Sequence, residues 1–217
     1  MLTTKKDRLL FVGDSITDSN RNREAIPAGW GSWGEGYVNL INAYTTGLLP
    51  EQEFMVVNRG NSGDTILELE QRWQTDVLEF QPDWVTIMIG INDVWRHFDG
   101  IFCQAPLVDV SQFEIVYRSL LERTLPHVKG IILLAPFMVE QNQQDPMRCY
   151  LAKYQEVVQR LAQEYQLPYG DVQQEIDRFL TQQSSYVLSS DRVHPSLAGH
   201  VLIAKTWLET VESKVSQ

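Results

Sequence analysis

A serine near the start of the chain and an acid–histidine pair near its end have the types and spacing needed for acyl transfer. Gly13-Asp14-Ser15 follows the apolar run that begins at Leu9, and Asp191-Arg192-Val193-His194-Pro195 precedes the last helical-period segment. An acid three residues before a histidine can reach that ring's Nδ1 across one turn, which leaves Nε2 free to face a serine hydroxyl. Because a serine hydroxyl is a poor nucleophile until a base lies within reach, His194 is the base expected for Ser15. Asp191 would hold its tautomer and stabilise the imidazolium. The other histidines, His97, His127 and His200, lack an acid at that spacing. Each motif alone has a plainer reading: Gly-Asp-Ser also marks a tight turn or a helix N-cap, and Asp191 suits a turn or cap as well.

Acyl transfer also needs donors aimed at the developing oxyanion, each worth about 3 to 4 kcal/mol. Three are expected: the Ser15 N–H, the Gly63 N–H within Asn61-Ser62-Gly63-Asp64-Thr65, and the Asn92 side-chain amide within Gly90-Ile91-Asn92-Asp93. Glycine suits the second because its backbone can approach a substrate closely, and asparagine the third because its amide donates without a charge. Trp95 and Arg96 follow directly; either they wall an acyl or sugar pocket, Trp95 offering an apolar face and an N–H to a sugar, or they anchor a loop. In order, these four blocks resemble those of the SGNH, or GDSL-type, hydrolase superfamily, over nearly the whole chain. The longer stretches 11–18, 88–96 and 191–200 are similar to the intracellular acetylxylan esterase branch. That resemblance implies a flavodoxin-like α/β/α sandwich and ester hydrolysis through an acyl-enzyme without a cofactor; no metal is expected either, since the early rim offers Asp14 and Asp18 without any histidine. It names Ser15, Gly63, Asn92 and His194 as family residues. From the branch it implies release of acetyl groups from xylo-oligosaccharides and a homo-oligomer.

Positioning such groups requires a frame. Runs rich in Val, Ile and Leu alternate with helical-period segments, the pattern of an α/β chain with a parallel sheet and helices on both faces. Strands are expected at 9–13, 54–58, 84–89, 130–135 and 168–171, with helices near 36–48, 65–80, 111–125, 146–166, 172–184 and 195–212. Leu69, Trp73, Val77 and Phe80 would give the second helix one apolar face, and Leu197, Val201, Ile203 and Ala204 would do so for the last. Tyr154, Val157, Val158, Leu161 and Tyr165 form a third such stripe. Every candidate motif then falls outside the carboxyl end of a strand, where doubly wound sheets gather their ligands. Gly29-Trp30-Gly31-Ser32-Trp33-Gly34 fits a dinucleotide-binding spacing by letter, but no strand precedes it, so a glycine-rich loop is expected with Trp30 and Trp33 in packing or a subunit contact. The segment 98–110 is expected to shape leaving-group selectivity.

The 217 residues suit a single domain, and 18 basic against 28 acidic residues leave a net charge of −10. Such a surface repels phosphates, so neither nucleic acid nor an anionic membrane is an expected partner; a small neutral acylated sugar is. The first residues show no apolar leader and the longest apolar run is too short to span a bilayer, so a cytoplasmic setting is expected. Cys103 and Cys149 are expected to pack as reduced, small apolar side chains. Two rival functions keep the same fold: a broad short-chain lipolytic esterase or thioesterase, and a carbohydrate-binding protein without catalysis.

Overall fold

Short apolar runs bounded by turn residues become strands covered on both faces, which is why they read as continuous rather than alternating. They are β1 (Arg8–Gly13), β2 (Met55–Gly60), β3 (Trp84–Met88), β4 (Gly130–Leu134) and β5 (Tyr169–Gly170). The structure is a computed structural model that describes residues 3–99 and 106–212. All strands are parallel, in the order β2-β1-β3-β4-β5. This is the flavodoxin-like order, in which the chain leaves β1 for one side of the sheet and later returns to its other side. Gly13 of β1 lies opposite Gly60 of β2 and Met88 of β3. Three strands therefore end level, and the segments that follow them start from one rim.

Nine α-helices are described: α1 (Ser15–Asp18), α2 (Tyr37–Leu48), α3 (Ile66–Gln71), α4 (Ile91–Trp95), α5 (Val110–Thr124), α6 (Pro146–Glu164), α7 (Val172–Leu180), α8 (Ser185–Leu188) and α9 (Leu197–Glu212). On one face, Phe11 of β1 meets the rings of Tyr37 and Trp207, and Trp207 Nε1 donates to Thr86 Oγ1 at 2.9 Å, seating α2 and α9 on the sheet. Trp73 Nε1 donates to Thr124 Oγ1 at 2.9 Å and joins the α3 segment to α5, beside α6. Each buried indole thus finds an acceptor while contributing its ring to the core, worth about 1.5 to 3 kcal/mol per large apolar side chain.

Four expectations change. The helix expected over 65–80 is broken: α3 ends at Gln71, and a π-helical turn covers Gln74–Leu78. Its apolar stripe survives, with Leu69, Trp73 and Val77 fully buried. On α9, Ile203 and Ala204 are buried, but Leu197 and Val201 are 60% and 49% exposed. The face that reaches the sheet runs through His200, Ile203, Trp207 and Val211; Val201 points about 100° away from His200, and Leu197 stands in the first turn of the helix. Cys149 is an exposed free thiol rather than a packed one; Cys103 lies outside the described residues, as does 100–105 of the expected selectivity segment. Finally, α1, α4 and α8, of four or five residues each, were not expected, because such short elements cannot display a helical period.

Candidate active site

The nucleophile's position follows from a glycine and a cap. A Cβ on Gly13 would lie 2.3 Å from Met88 O and 2.4 Å from Thr17 Oγ1, so only glycine lets the chain pass from β1 into α1 this close to β3. Asp14 then caps α1, its Oδ1 accepting the Ile16 N–H at 2.9 Å. Ser15 becomes the first helical residue, and its own N–H has no partner among the described residues. Both plain readings of Gly-Asp-Ser are therefore realised, by Asp14, and they serve to present Ser15 at the rim.

Across the rim, the segment before α9 folds around one carboxylate. Asp191 Oδ1 accepts the Val193 N–H (2.9 Å), the His194 N–H (2.8 Å) and the Ser189 hydroxyl (3.0 Å). Between them Arg192 sits at φ +71°, an uncommon conformation for a side-chain-bearing residue. Its guanidinium is anchored to Glu140 and Asp145, both at 2.9 Å, and its carbonyl accepts the Val139 N–H. With Oδ1 engaged in the turn, Oδ2 is left for His194 Nδ1 at 2.6 Å, and His194 Nε2 lies 2.9 Å from Ser15 Oγ. Residues 179 positions apart are thereby brought into one hydrogen-bonded relay. Burial opposes ionisation of Asp191, but the bonds from His194, Val193 and Ser189 outweigh it and hold the carboxyl well below the usual range. The His194 and Asp191 side chains remain 46% and 40% exposed, so water reaches the relay.

The expected donors flank this relay. Gly63 adopts φ +89°, the left-handed region that glycine enters without strain, and its N–H has no partner among the described residues. A Cβ there would meet no protein atom nearer than Arg96 Nη2 at 4.0 Å, so within the chain the backbone angle, not crowding, calls for glycine. Asn92, buried on α4, donates one amide hydrogen to Asp64 O at 2.9 Å and has a second to offer. Asp93 beside it accepts the Ile66 N–H at 3.0 and 3.2 Å, which ties α4 to the start of α3.

Trp95 lies one helical turn beyond Asn92 and sets its ring edge-on to His194, centroids 5.8 Å apart. Arg96 pairs with Asp99 at 2.8 Å beside the Gly63 loop. Burial pushes the Asp14 and Asp93 carboxyls up to about 7 each, against the hydrogen bonds from Ile16 and Ile66 that lower them. Burial also pushes the His200 imidazole down to about 4, and its Nδ1 accepts the Tyr37 N–H at 3.1 Å. His97 bonds Val108 O at 3.0 Å and His127 is exposed; the imidazole that bonds Ser15 Oγ is that of His194. Trp33 is half-buried with Nε1 donating to Val56 O, whereas Trp30 stands 92% exposed. Among the described residues no cluster of three or more His, Cys, Asp or Glu could hold a metal ion, and no helix is long and apolar enough to cross a membrane.

Sequence reasoning passed over three residues here. Asp14, Asp64 and Arg72 brace the rim, yet the first two stood inside the quoted motifs without a role. Arg72, a lone arginine on an amphipathic segment, carries no pattern that could have marked it.

Comparison with known proteins agrees with this geometry. Residues 11–202 match the GDSL-like lipase/acylhydrolase family. The chain is 44% identical over 205 residues to an acetylxylan esterase of Geobacillus stearothermophilus, covering 94% of each. The crystal structure of an acetylxylan esterase from that organism superposes with a TM-score of 0.94 at 42% identity, over 98% of this chain and 97% of that one. Further structures of that esterase are described as catalytic mutants, with alanine for a serine, an aspartate and a histidine. An α/β hydrolase from the metagenome of Lake Arreo, Spain, is 40% identical with a TM-score of 0.93, over 97% of each chain. A chain matched over this length in both sequence and fold belongs to the GDSL-like lipase/acylhydrolase family.

Proposed function

We propose that the chain is a serine esterase that releases acetyl groups from acetylated xylo-oligosaccharides through an acyl-enzyme. The observation that carries this reading is the relay Ser15 Oγ, His194 Nε2, His194 Nδ1, Asp191 Oδ2, with separations of 2.9 and 2.6 Å. In it Ser15 Oγ attacks the ester carbonyl carbon as its proton passes to His194 Nε2. Asp191 stabilises the imidazolium. The carbonyl oxygen becomes an oxyanion that accepts hydrogen bonds from the Ser15 and Gly63 N–H groups and the Asn92 amide. Collapse of that intermediate breaks the bond to the sugar oxygen, which takes the proton from His194 and leaves as a hydroxyl. Water then repeats the sequence on the acyl-serine, giving acetate and free enzyme.

The indole of Trp95, edge-on to the imidazole, is placed to limit the acyl side and to offer its N–H to a sugar. A net charge of −10 favours a neutral saccharide over an anionic one. The exposed thiol of Cys149 fits a reducing cytoplasm. Exposed Trp30, next to Trp33, is the surface we assign to a subunit contact in a homo-oligomer.

The test is acetate release from acetylated xylo-oligosaccharides by the wild-type protein beside Ser15→Ala. Release that vanishes in the variant, at unchanged melting temperature, is the expected result. Equal rates for both proteins would overturn the serine mechanism, and no release from the wild type would overturn the substrate.

A further inference from the structure

Asp64 and Arg72 form an ion pair beneath the rim that belongs to neither the relay nor the donors. Arg72 Nε lies 2.6 Å from Asp64 Oδ2, and the two side chains are 18% and 4% exposed. Three of the four remaining guanidinium hydrogens are engaged: Nη2 donates to Gly13 O at 2.9 Å and Nη1 to Arg59 O at 2.6 Å, at the ends of two strands, and Nη1 also to Asp76 Oδ2 at 2.7 Å. Asp64 is equally committed. Its Oδ1 accepts from Asn61 Nδ2 at 2.5 Å, its N–H donates to Asn61 O, and its carbonyl accepts from Asn92 Nδ2 at 2.9 Å.

These bonds reach the segment of every expected oxyanion donor. Gly13 leads directly into Asp14 and Ser15, Asp64 is the residue after Gly63, and Asn92 is bonded to Asp64 itself. Strand pairing holds Gly13 and Gly60 level but ends there, three residues short of Gly63. The near side of the loop is held by the Asn61 N–H on Gly13 O at 3.0 Å and by the Ser62 N–H and hydroxyl on Asp18 Oδ2 at 3.1 Å each, and its far side, after Gly63, by Asp64. A planar guanidinium with five donors can bond several fixed acceptors at once, which an ammonium on a flexible stem cannot reproduce.

We propose that the Asp64–Arg72 pair positions the oxyanion hole, setting the separation of the Ser15 and Gly63 N–H groups and aiming the Asn92 amide. The inference rests on the proposed reading of those three groups as oxyanion donors. Neither member touches substrate, so both are positioning residues. Donors act only when they lie about 2.7 to 3.1 Å from the oxyanion, and a misplacement of about 1 Å can cost on the order of 10²-fold in rate.

A double-mutant cycle on kcat for 4-nitrophenyl acetate and for acetylated xylo-oligosaccharides tests this, each protein being assayed well below its melting temperature. Arg72→Met is expected to lower kcat about 10²-fold with KM changed less than about twofold. Asn92→Ala is expected to cost about 10²- to 10³-fold in the wild-type background but under about tenfold beside Arg72→Met, because an amide no longer aimed has little to lose. Should Arg72→Met fail to fold, Arg72→Lys carries the same cycle, keeping a charge beside Asp64 while losing the fork. Additive penalties, or an unchanged kcat in the Arg72 variant that folds, overturn the proposal and leave the oxyanion reading standing. An Asn92→Ala protein with wild-type kcat overturns that reading and the proposal with it.

Discussion

Replacing Asp191 by asparagine should abolish most turnover while leaving the fold in place, and the structure gives the size of both effects. The Oδ1 side of the residue holds the turn through Val193, His194 and Ser189, and an amide oxygen can accept all three of those bonds. On the other side an NH₂ would replace the oxygen 2.6 Å from His194 Nδ1. Two donors cannot face each other, so the imidazole must move its proton to Nε2. It would then donate to Ser15 Oγ across 2.9 Å instead of accepting from it. A wrong tautomer of this kind costs about 10⁴-fold in kcat in a serine protease triad. Because the side chains here are 40% and 46% exposed and water can bridge them, a fall of about 10³- to 10⁴-fold is expected, roughly 4 to 5.5 kcal/mol in the barrier. The melting temperature should stay within about 4 °C of wild type, the shift that about 1 kcal/mol produces in a chain of this size. Acetate release under saturating substrate, paired with thermal unfolding, measures both. An Asp191→Asn protein retaining more than about a tenth of wild-type kcat would refute the tautomer reasoning, since the base would then be competent without its carboxylate.

Two further outcomes are expected. Trp95→Ala should raise the rate on butyryl and octanoyl esters relative to acetyl if, as proposed, the indole beside His194 limits the acyl side; an unchanged chain-length profile would place the tryptophan outside the acyl path. His200 is held neutral by burial, with its folded value about 4 against 6.5 unfolded, so the unfolded chain gains a proton first as pH falls. Its contribution to stability is complete above about pH 6.5 and is lost as pH drops toward 4, by about 3 kcal/mol. Since Asp14 and Asp93, raised to about 7, change stability in the opposite sense over that range, the measurement is the difference between wild type and His200→Gln. A difference that stays constant from pH 7 to 4 would contradict the buried, neutral imidazole.

The candidate site was legible because its proposed chemistry is carried by short motifs that the structure brings to one rim. Ser15, Gly63, Asn92, Asp191 and His194 each stand beside a strand end or helix start that periodicity alone locates to within a few residues. The frame was read nearly as well, since runs such as Ile131–Leu134 and the stripe Tyr154, Val157, Val158 and Leu161 are buried as their spacing requires. The errors have physical causes. Arg72 and the π-helical turn after it interrupt a helix whose apolar positions give no sign of a break. Leu197 and Val201 are apolar but exposed, because hydrophobicity identifies residues that can be buried and not those that the helix axis turns toward the sheet.

Local sequence determined the strands, the amphipathic helices, the Asx-type turn that brings Asp191 to His194, and the glycine that releases the backbone at residue 63. These follow from interactions within a few residues or from a residue's own steric limits. Tertiary structure alone decided that Ser15 Oγ meets His194 Nε2 across 179 positions, that Asp14 and Asp93 are buried deeply enough to titrate near neutrality, and that one guanidinium reaches Gly13, Arg59 and Asp64 together. Each of these depends on strand order and register, which bring distant segments to a single rim. Distance and dielectric are properties of the packed chain, so no residue's identity specifies them.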